Sequence, residues 1–329
     1  MTGHTQSIVD SESLVPIREI SRLTGINTVT LRAWERRYGL LRPQRTHKGH
    51  RLYSAEDIAK VKEIQAWLGR GLAISKVLGL LDNQDRNNVD DSEVEIDSIW
   101  AEIQEALLAA VADFNRHKIE KIFDEILAVY PAELVGDGLL APVLKQLSLS
   151  EVGSAQCAFF SSVLMEQLFR MQYRQRQTAK GESILVVSWS PDDNPILSLN
   201  FNYSLLVNHY QADFLAALNL AAIRNSCASL NTKLVVLVGP EGQSLASLRL
   251  YLSQWRALEC CPLLILGPLA SLYVSSLTSA ELAIASHVIP TANTRVEHGV
   301  YACETQQQAL HLIHQLFNYT FLHGESKNA

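Results

Sequence analysis

The sequence predicts a multidomain α plus α/β chain: a winged helix-turn-helix head, a helical bundle, and a doubly wound parallel sheet of the Rossmann or flavodoxin type. Three observations carry this expectation. Pro16 to Tyr53 reads as two short helices around a glycine turn followed by a basic hairpin, and residues 96 to 177 keep helical periodicity throughout. From Ser183 onward, short apolar runs alternate with stretches of helix length. At 329 residues, 47% hydrophobic and 19% charged, the chain has material for two or three domains with buried cores.

The head is expected over residues 15–81, after a flexible start at 1–14. Ile17, Ile20 and Leu23 fall at helical spacing, Thr24-Gly25 supplies a turn, and Asn27 or Thr28 caps a second helix running to about Tyr38. The basic hairpin Arg45-Thr46-His47-Lys48-Gly49-His50-Arg51 follows, with Lys48-Gly49 at its tip, and Asp57-Ile58 opens the next helix. Charge singles out the same segment. Up to Leu81 there are 13 Lys and Arg against 7 Asp and Glu, whereas the remainder holds 15 against 27, a contrast hidden in the net charge of −6. A cationic module attracts phosphates by releasing condensed counterions and an acidic body is repelled, so this polarity orients the protein on duplex DNA.

Within the head, Thr28 and Thr30 open the second helix, where a hydroxyl and free backbone amides can hold a phosphate or touch a base edge. Arg32, Trp34 and Arg37 project further along it. Arg36 and Arg37 are adjacent and cannot both face one partner, so one of them stands in solvent or pairs with Glu35 or a neighbour. In the wing, Arg45, Lys48, His50 and Arg51 reach flanking phosphates or a minor groove, and Tyr53 either buttresses the wing or binds a phosphate. Leu31 is a core residue, and Trp34 and Tyr38 can equally pack the core. A solvated surface is the alternative for Arg32, Arg45, Lys48 and Arg51.

Residues 82–95, DNQDRNNVDDSEVE, are polar and acidic and read as a linker. The bundle is expected over 96–180 as four helices: Ile99 to Val111, Ile119 to Ile126, Leu139 to Leu147 and Phe159 to Tyr173, punctuated by Pro131, Pro142 and Gly153. The α/β domain is expected over 181–329. Its buried strands are Ile184 to Trp189, Ala212 to Leu218, Leu234 to Val238, Leu263 to Leu266 and Ala285 to Ile289, with Pro195 to His209 and Gly242 to Leu258 among the helices. Such sheets bind ligands at the carboxyl ends of their strands, here Ser190-Pro191-Asp192-Asp193-Asn194-Pro195 and Gly239-Pro240-Glu241-Gly242.

Several functions are disfavoured. The chain has no G-x-G-x-x-G after its first strand, no phosphate-cradling G-x-x-x-x-G-K-S/T and no nucleophile elbow, so no enzyme and no catalytic residue is expected. His311 and His314 sit three apart on the last helix and read as a solvated face. The five cysteines lack C-x-x-C spacing and are odd in number, which argues against a disulfide framework. The vicinal Cys260-Cys261 pair leads into the apolar run from Leu263 and reads as ordinary buried thiols, with metal or redox sensing as the alternative; no metal site is expected. No apolar run approaches the roughly 20 residues that span a bilayer. The polar start lacks a signal-peptide segment, so the expected place is the cytoplasm, at the bacterial nucleoid, with no membrane partner.

Four motifs recur in register: Leu23-Thr24-Gly25-Ile26, Thr30-Leu31-Arg32-x-Trp34-Glu35, Gly39-Leu40-Leu41-x-Pro43 and Arg51-Leu52-Tyr53-Ser54. With Gly71-Leu72-Ala73-Ile74 beyond them, they cover residues 16 to 81, and this segment resembles the MerR family of bacterial transcription regulators. The resemblance implies a homodimer on an inverted repeat of promoter DNA, distorting the duplex until RNA polymerase engages both promoter elements, with activation as the outcome. It places an arginine and an aromatic against DNA at Arg32 and Trp34, while Ala33 stands where many relatives carry a second aromatic. Short relatives continue into one long dimerisation helix, which is absent here.

A head of this type followed by a bundle and a Rossmann-like domain resembles the light-responsive branch of the family that binds cobalamin. Its first sheet loop carries an acidic residue, a cobalt-ligating histidine two positions on and a glycine three further. Here those positions hold Asp192, Asn194 and Leu197, and a neutral amide lacks the donor strength of an imidazole. The branch's Glu-His pair aligns with Phe159-Phe160, and no Trp stands between Trp100 and Trp189. The resemblance therefore implies a relative with a degenerate cofactor motif and no cofactor, similar to curli and biofilm regulators. The alternatives are a body that senses a small molecule, whether cobalamin, a nucleotide or a cyclic dinucleotide, in the crevice between bundle and sheet, or one that serves oligomerisation and docking.

Overall fold

Helix boundaries in the amino-terminal part fall on residues that chemistry marks for them. Helix α1 (Ile17–Thr24) stops at Gly25, whose φ of 74° is left-handed and suits a residue without a Cβ. Asn27 caps α2 (Thr28–Tyr38), its Oδ1 accepting from the Val29 and Thr30 amides at 2.8 and 2.7 Å, and the helix ends at Gly39 with φ 63°. Ser54 and Asp57 form a reciprocal capping box at the start of α3 (Ala55–Gly69), and α4 (Ile74–Asp82) follows. Strands β1 (Val15–Pro16), β2 (Gln44–Arg45) and β3 (Arg51–Tyr53) form an antiparallel sheet in the order β1-β3-β2. Ile20, Leu31, Trp34, Leu40, Tyr53, Ile64 and Leu68 fill the core beneath it.

The computed structural model describes residues 14–70, 72–82, 99–149, 153–216, 219–240, 242–258, 260–276 and 299–324, which fall into two units divided between Asp97 and Ser98. The expected flexible start, apart from Leu14, and the expected linker beyond Asp82 lie outside the described residues.

The second unit begins with α5 (Ile99–Ala112) and α6 (Arg116–Leu127). A helix then starts after Pro131 as α7 (Ala132–Val135), passes through a π-turn (Gly136–Leu140) and continues as α8 (Ala141–Leu149), before the long α9 (Gly153–Arg176). The π-turn is pinned by close approach. A Cβ at Gly136 would stand 2.4 Å from Gln306 Oε1, and one at Gly138 would stand 2.6 Å from the Trp100 ring. Sequence periodicity placed a helix from Leu139; it begins seven residues earlier, at Ala132.

The α/β part runs β4 (Ser183–Ser188), α10 (Ile196–Val207), β5 (Gln211–Leu215), α11 (Leu220–Leu230), β6 (Leu234–Val238), α12 (Leu245–Ala257), β7 (Leu263–Leu266), α13 (Pro268–Ser275), β8 (Val300–Cys303) and α14 (Gln306–Gly324). All five strands are parallel, in the order β5-β4-β6-β7-β8, so the chain reverses direction across the sheet at β4 and β6. Strand pleating divides the core in two. Ile184, Val186, Leu234 and Val236 face α10 and α14, while Leu185, Val187, Val235 and Leu237 face α11, α12 and α13. Runs such as LVVLV follow from burial on both faces.

Helix α10 is buried nearly all round, between the sheet on one side and the bundle on the other. That is why Asn200, Asn202 and Ser204 on it are buried polar residues that must find partners. The strand expected at Ala285 to Ile289 lies outside the described residues, and the fifth strand is Val300–Cys303. Sequence gave little warning of it, because β8 is an edge strand and only Cys303 in it is fully buried. The second strand ends at Leu215 rather than Leu218. His314 is not on a solvated face: its ring stacks on Tyr210 with centroids 5.7 Å apart, while the exposed His311 meets Gln315 at 2.9 Å.

Candidate nucleic-acid interface

The head presents two adjoining basic features: one face of α2 and the β2–β3 wing. Val29, Arg32 and Arg36, spaced three and four apart, are exposed along α2, with Val29 61% accessible. Glu35, on the flank of that face, ties the helix to the wing. Its two oxygens accept from Arg51 Nε and from Arg51 Nη2, the latter at 3.2 Å, and Oε1 also takes Arg45 Nη2 at 2.8 Å. The Glu35 and Arg51 side chains are each 14% accessible and that of Arg45 is 52% accessible, so the inner pair is sheltered and the outer arginine stays half in water. Burial pushes the Glu35 carboxyl up, but the Arg51 and Arg45 guanidiniums outweigh it and hold the group below its usual range; its carboxylate in turn raises Arg51. At the wing tip, Thr46 bonds the His50 amide and Gly49 takes φ 79°, leaving His47, Lys48 and His50 exposed.

The site residues expected from sequence divide accordingly. Arg32, Arg37, Arg45, Lys48 and His50 are exposed, and Thr28 is half-buried at the first turn of α2. Thr30, Trp34 and Tyr53 are corrections. All three are fully buried, Trp34 in the core against the other helices and Tyr53 beneath the wing, so none can touch a partner without unfolding the head. Burial first, and the Glu35 charge second, push the Tyr53 phenol up to about 12. Arg51 is half-buried, its guanidinium spanning both oxygens of Glu35. Arg36 and Val29, not among the expected site residues, lie on the same exposed face of α2, as the 3.6-residue period relative to the core positions Leu31 and Trp34 requires.

At the carboxyl edge of the sheet, the loop after β4 is a closed polar turn. Asp193 Oδ2 accepts from the Ser190 amide at 2.6 Å, and burial raises its carboxyl; Asp192 is exposed. Asn194 uses both ends of its amide: Oδ1 takes the Ile196 amide at 3.1 Å, and Nδ2 donates to Ser161 Oγ on α9 at 2.7 Å and lies 3.5 Å from Cys157 Sγ. Leu197 gives its carbonyl to Gln306 at 3.1 Å. Phe160 is fully buried, and Phe159 packs on Phe114 with ring centroids 5.1 Å apart.

A family model described as MerR HTH family regulatory protein matches residues 15–84, which contain α1, α2 and the wing. The HTH-type transcriptional regulator MlrA of Escherichia coli is 35% identical over 188 residues, covering 57% of this chain and 74% of MlrA. The chain belongs to the MerR family. It is thus one of a family of helix-turn-helix transcriptional regulators, and the basic head is its DNA-binding part. The HTH-type transcriptional repressor CarH of Myxococcus xanthus is 30% identical over 175 residues, 50% of this chain and 56% of CarH. A solved structure, the monomethylamine corrinoid protein of Methanosarcina barkeri, is 13% identical with a TM-score of 0.45, covering 66% of this chain and 99% of that one.

Within this MerR-family chain, the buried seam under α10 was not anticipated from sequence. Glu133 accepts from Ser204 Oγ at 2.8 Å, and Asp137 caps α14 by accepting the Gln306 and Gln307 amides at 2.8 and 3.1 Å. Burial pushes Glu133 up to about 7 and Asp137 up to about 6, against the hydrogen bonds each accepts. Asn200 Nδ2 donates to Ala132 O and to Gln306 Oε1, each at 2.8 Å.

Proposed function

We propose that the exposed face of α2, with Val29, Arg32 and Arg36, enters the major groove of a promoter half-site, and that Arg45, Lys48 and His50 hold flanking phosphates or the neighbouring minor groove. The carrying observation is the Glu35 clamp: one carboxylate fixes the wing against the reading helix, so both features meet the duplex as a rigid pair. The chain acts in the cytoplasm as a homodimer on an inverted repeat and engages RNA polymerase there by distorting the duplex; it has no catalytic role. No helix of the described residues is long and apolar enough to cross a membrane.

The body, in this reading, works without a corrin. Support comes from Asn194, whose amide is committed at both ends and joins the sheet loop directly to α9, and from Phe160, which fills the bundle where a cofactor face would need room. Two experiments test the proposal. A genome-wide binding map of the full chain should return a palindromic site, and Arg32→Ala and Arg36→Ala should each weaken binding to it by about 1–3 kcal/mol with the fold intact by circular dichroism. Unchanged affinity in both variants overturns the groove assignment. Methylcobalamin and adenosylcobalamin should leave the melting temperature unmoved, because a ligand of the folded state raises it by mass action; a rise overturns the corrin-free reading.

A further inference from the structure

At the amino-terminal edge of the sheet, opposite the loops after β4 and β6, three cysteines from two segments meet. Cys227 lies near the end of α11, and Cys260 and Cys261 lie just before β7. Their sulfurs all lie within 4.8 Å of one another, with Cys260 Sγ 3.9 Å from Cys261 Sγ, and all three are free thiols. A pyramidal three-sulfur array with bonds of about 2.3 Å and angles of about 100° has its sulfurs about 3.5 Å apart, so rotation of the cysteine side chains draws the trio onto one centre. Two buried hydroxyls border it. Among the described residues, Thr232 Oγ1 has no hydrogen-bond partner other than the Cys227 sulfur it approaches, and Tyr251 Oη, within electrostatic reach of Cys227, has none.

Donor set and charge narrow the ligand. Among the described residues the cluster contains sulfur alone, with no imidazole or carboxylate, which favours a thiophilic centre. The wall is apolar: Trp255, Leu258 and Leu263 pack in the same core, and among the described residues no Lys or Arg acts on the charge of any of the three thiols. A monovalent or divalent cation on three thiolates would leave a net negative charge in this wall, whereas a trivalent centre is neutralised, so burial favours it.

We propose that Cys227, Cys260 and Cys261 form a trithiolate site for a trivalent thiophilic metalloid presented as its hydroxide, of the arsenous or antimonous acid class. Binding is a condensation without redox change. Three metalloid–oxygen bonds break and three metalloid–sulfur bonds form, and the three thiol protons leave with the hydroxides as water.

The test uses the full chain, reduced, with arsenite as the probe. Native mass spectrometry should show one arsenic per chain with the loss of three protons. Alkylation should find Cys227, Cys260 and Cys261 protected while Cys157 and Cys303 react as before. Tryptophan emission should also change, since Tyr251, beside the site, stacks on Trp255 at 6.4 Å and meets the Trp189 ring at a tilt at 5.2 Å. Cys260→Ser and Cys261→Ser, at half-buried positions, should each weaken arsenite binding at least about tenfold, and Cys157→Ser should not. Cys227→Ser should behave like the first two, and they carry the test should it fail to fold. Protection of only two thiols, an equal loss in Cys157→Ser, or displacement of arsenite by equimolar zinc would overturn the proposal.

Discussion

The wing of the head and the seam beneath α10 are both rich in polar side chains, but they are built in opposite ways. In the wing one carboxylate organises two arginines and the remaining cations face water, so the charge is free to meet phosphates. In the seam Glu133, Asn200, Asn202 and Gln306 are buried, Asp137 is half-buried, and their hydrogen bonds run to one another, to Ser204 and to Gln172. Their donors are paired, although among the described residues Asn200 Oδ1 and Asn202 Oδ1 have no partner. Polar groups left in water on a fixed frame await a partner, whereas polar groups locked between layers set the register of those layers.

Acidity should separate the two regions most strongly. Glu133 and Asp137 hold protons more tightly folded than unfolded, their values rising from 4.5 to about 7 and from 3.8 to about 6. Between roughly pH 4 and 7 the folded body binds more protons than the unfolded chain, so its stability falls as pH rises through that window, by on the order of 6 kcal/mol for the two groups together. Glu133→Gln should flatten this dependence in denaturant titrations across pH. Glu35 has the opposite sign: its contribution is present above its ordinary value of 4.5 and is lost as pH falls through its lowered folded value. A body that grows more stable with rising pH would break the contrast.

Gly136→Ala tests the seam by packing. The new methyl meets Gln306 and Asn200 side chains held by hydrogen bonds, so a loss of about 2 kcal/mol is expected, read as a lower melting temperature of the body. Arg51→Ala tests the wing. Glu35 keeps only Arg45, the hairpin loosens, and operator affinity should fall about tenfold or more while tryptic cleavage at the wing rises. Arg51→Lys should not restore it, since an ammonium cannot span both Glu35 oxygens. Lys48→Ala, at the exposed tip, should cost under about 1 kcal/mol and lower the slope of log affinity against log salt by about one.

Legibility followed the range of the interactions. The turn at Gly25, the Asn27 cap, the extent of α2, the wing tip and the doubly wound character of the sheet are local or periodic features, and all were readable from short windows. The β8 edge strand was not, because a half-exposed strand of four residues has no distinctive pattern. Thr30 is buried rather than facing a partner, and for Trp34 and Tyr53, where packing and contact are both open in the sequence, packing holds. A threonine, a tryptophan and a tyrosine beside arginines look alike whether they face a groove or a core, and the side of the helix that packs inward settles the matter.

By itself the sequence determined the element order, the capping of the first helices and the split between a basic head and an acidic body, because each depends on neighbours in the chain or on a sum over it. Only the tertiary structure decided which arginine anchors and which remain exposed, that Asn194 reaches Ser161 on α9, and that Cys227 joins a pair 33 residues away. Those outcomes depend on side chains brought together by packing, and distance in space between residues remote along the chain is not encoded in any local pattern.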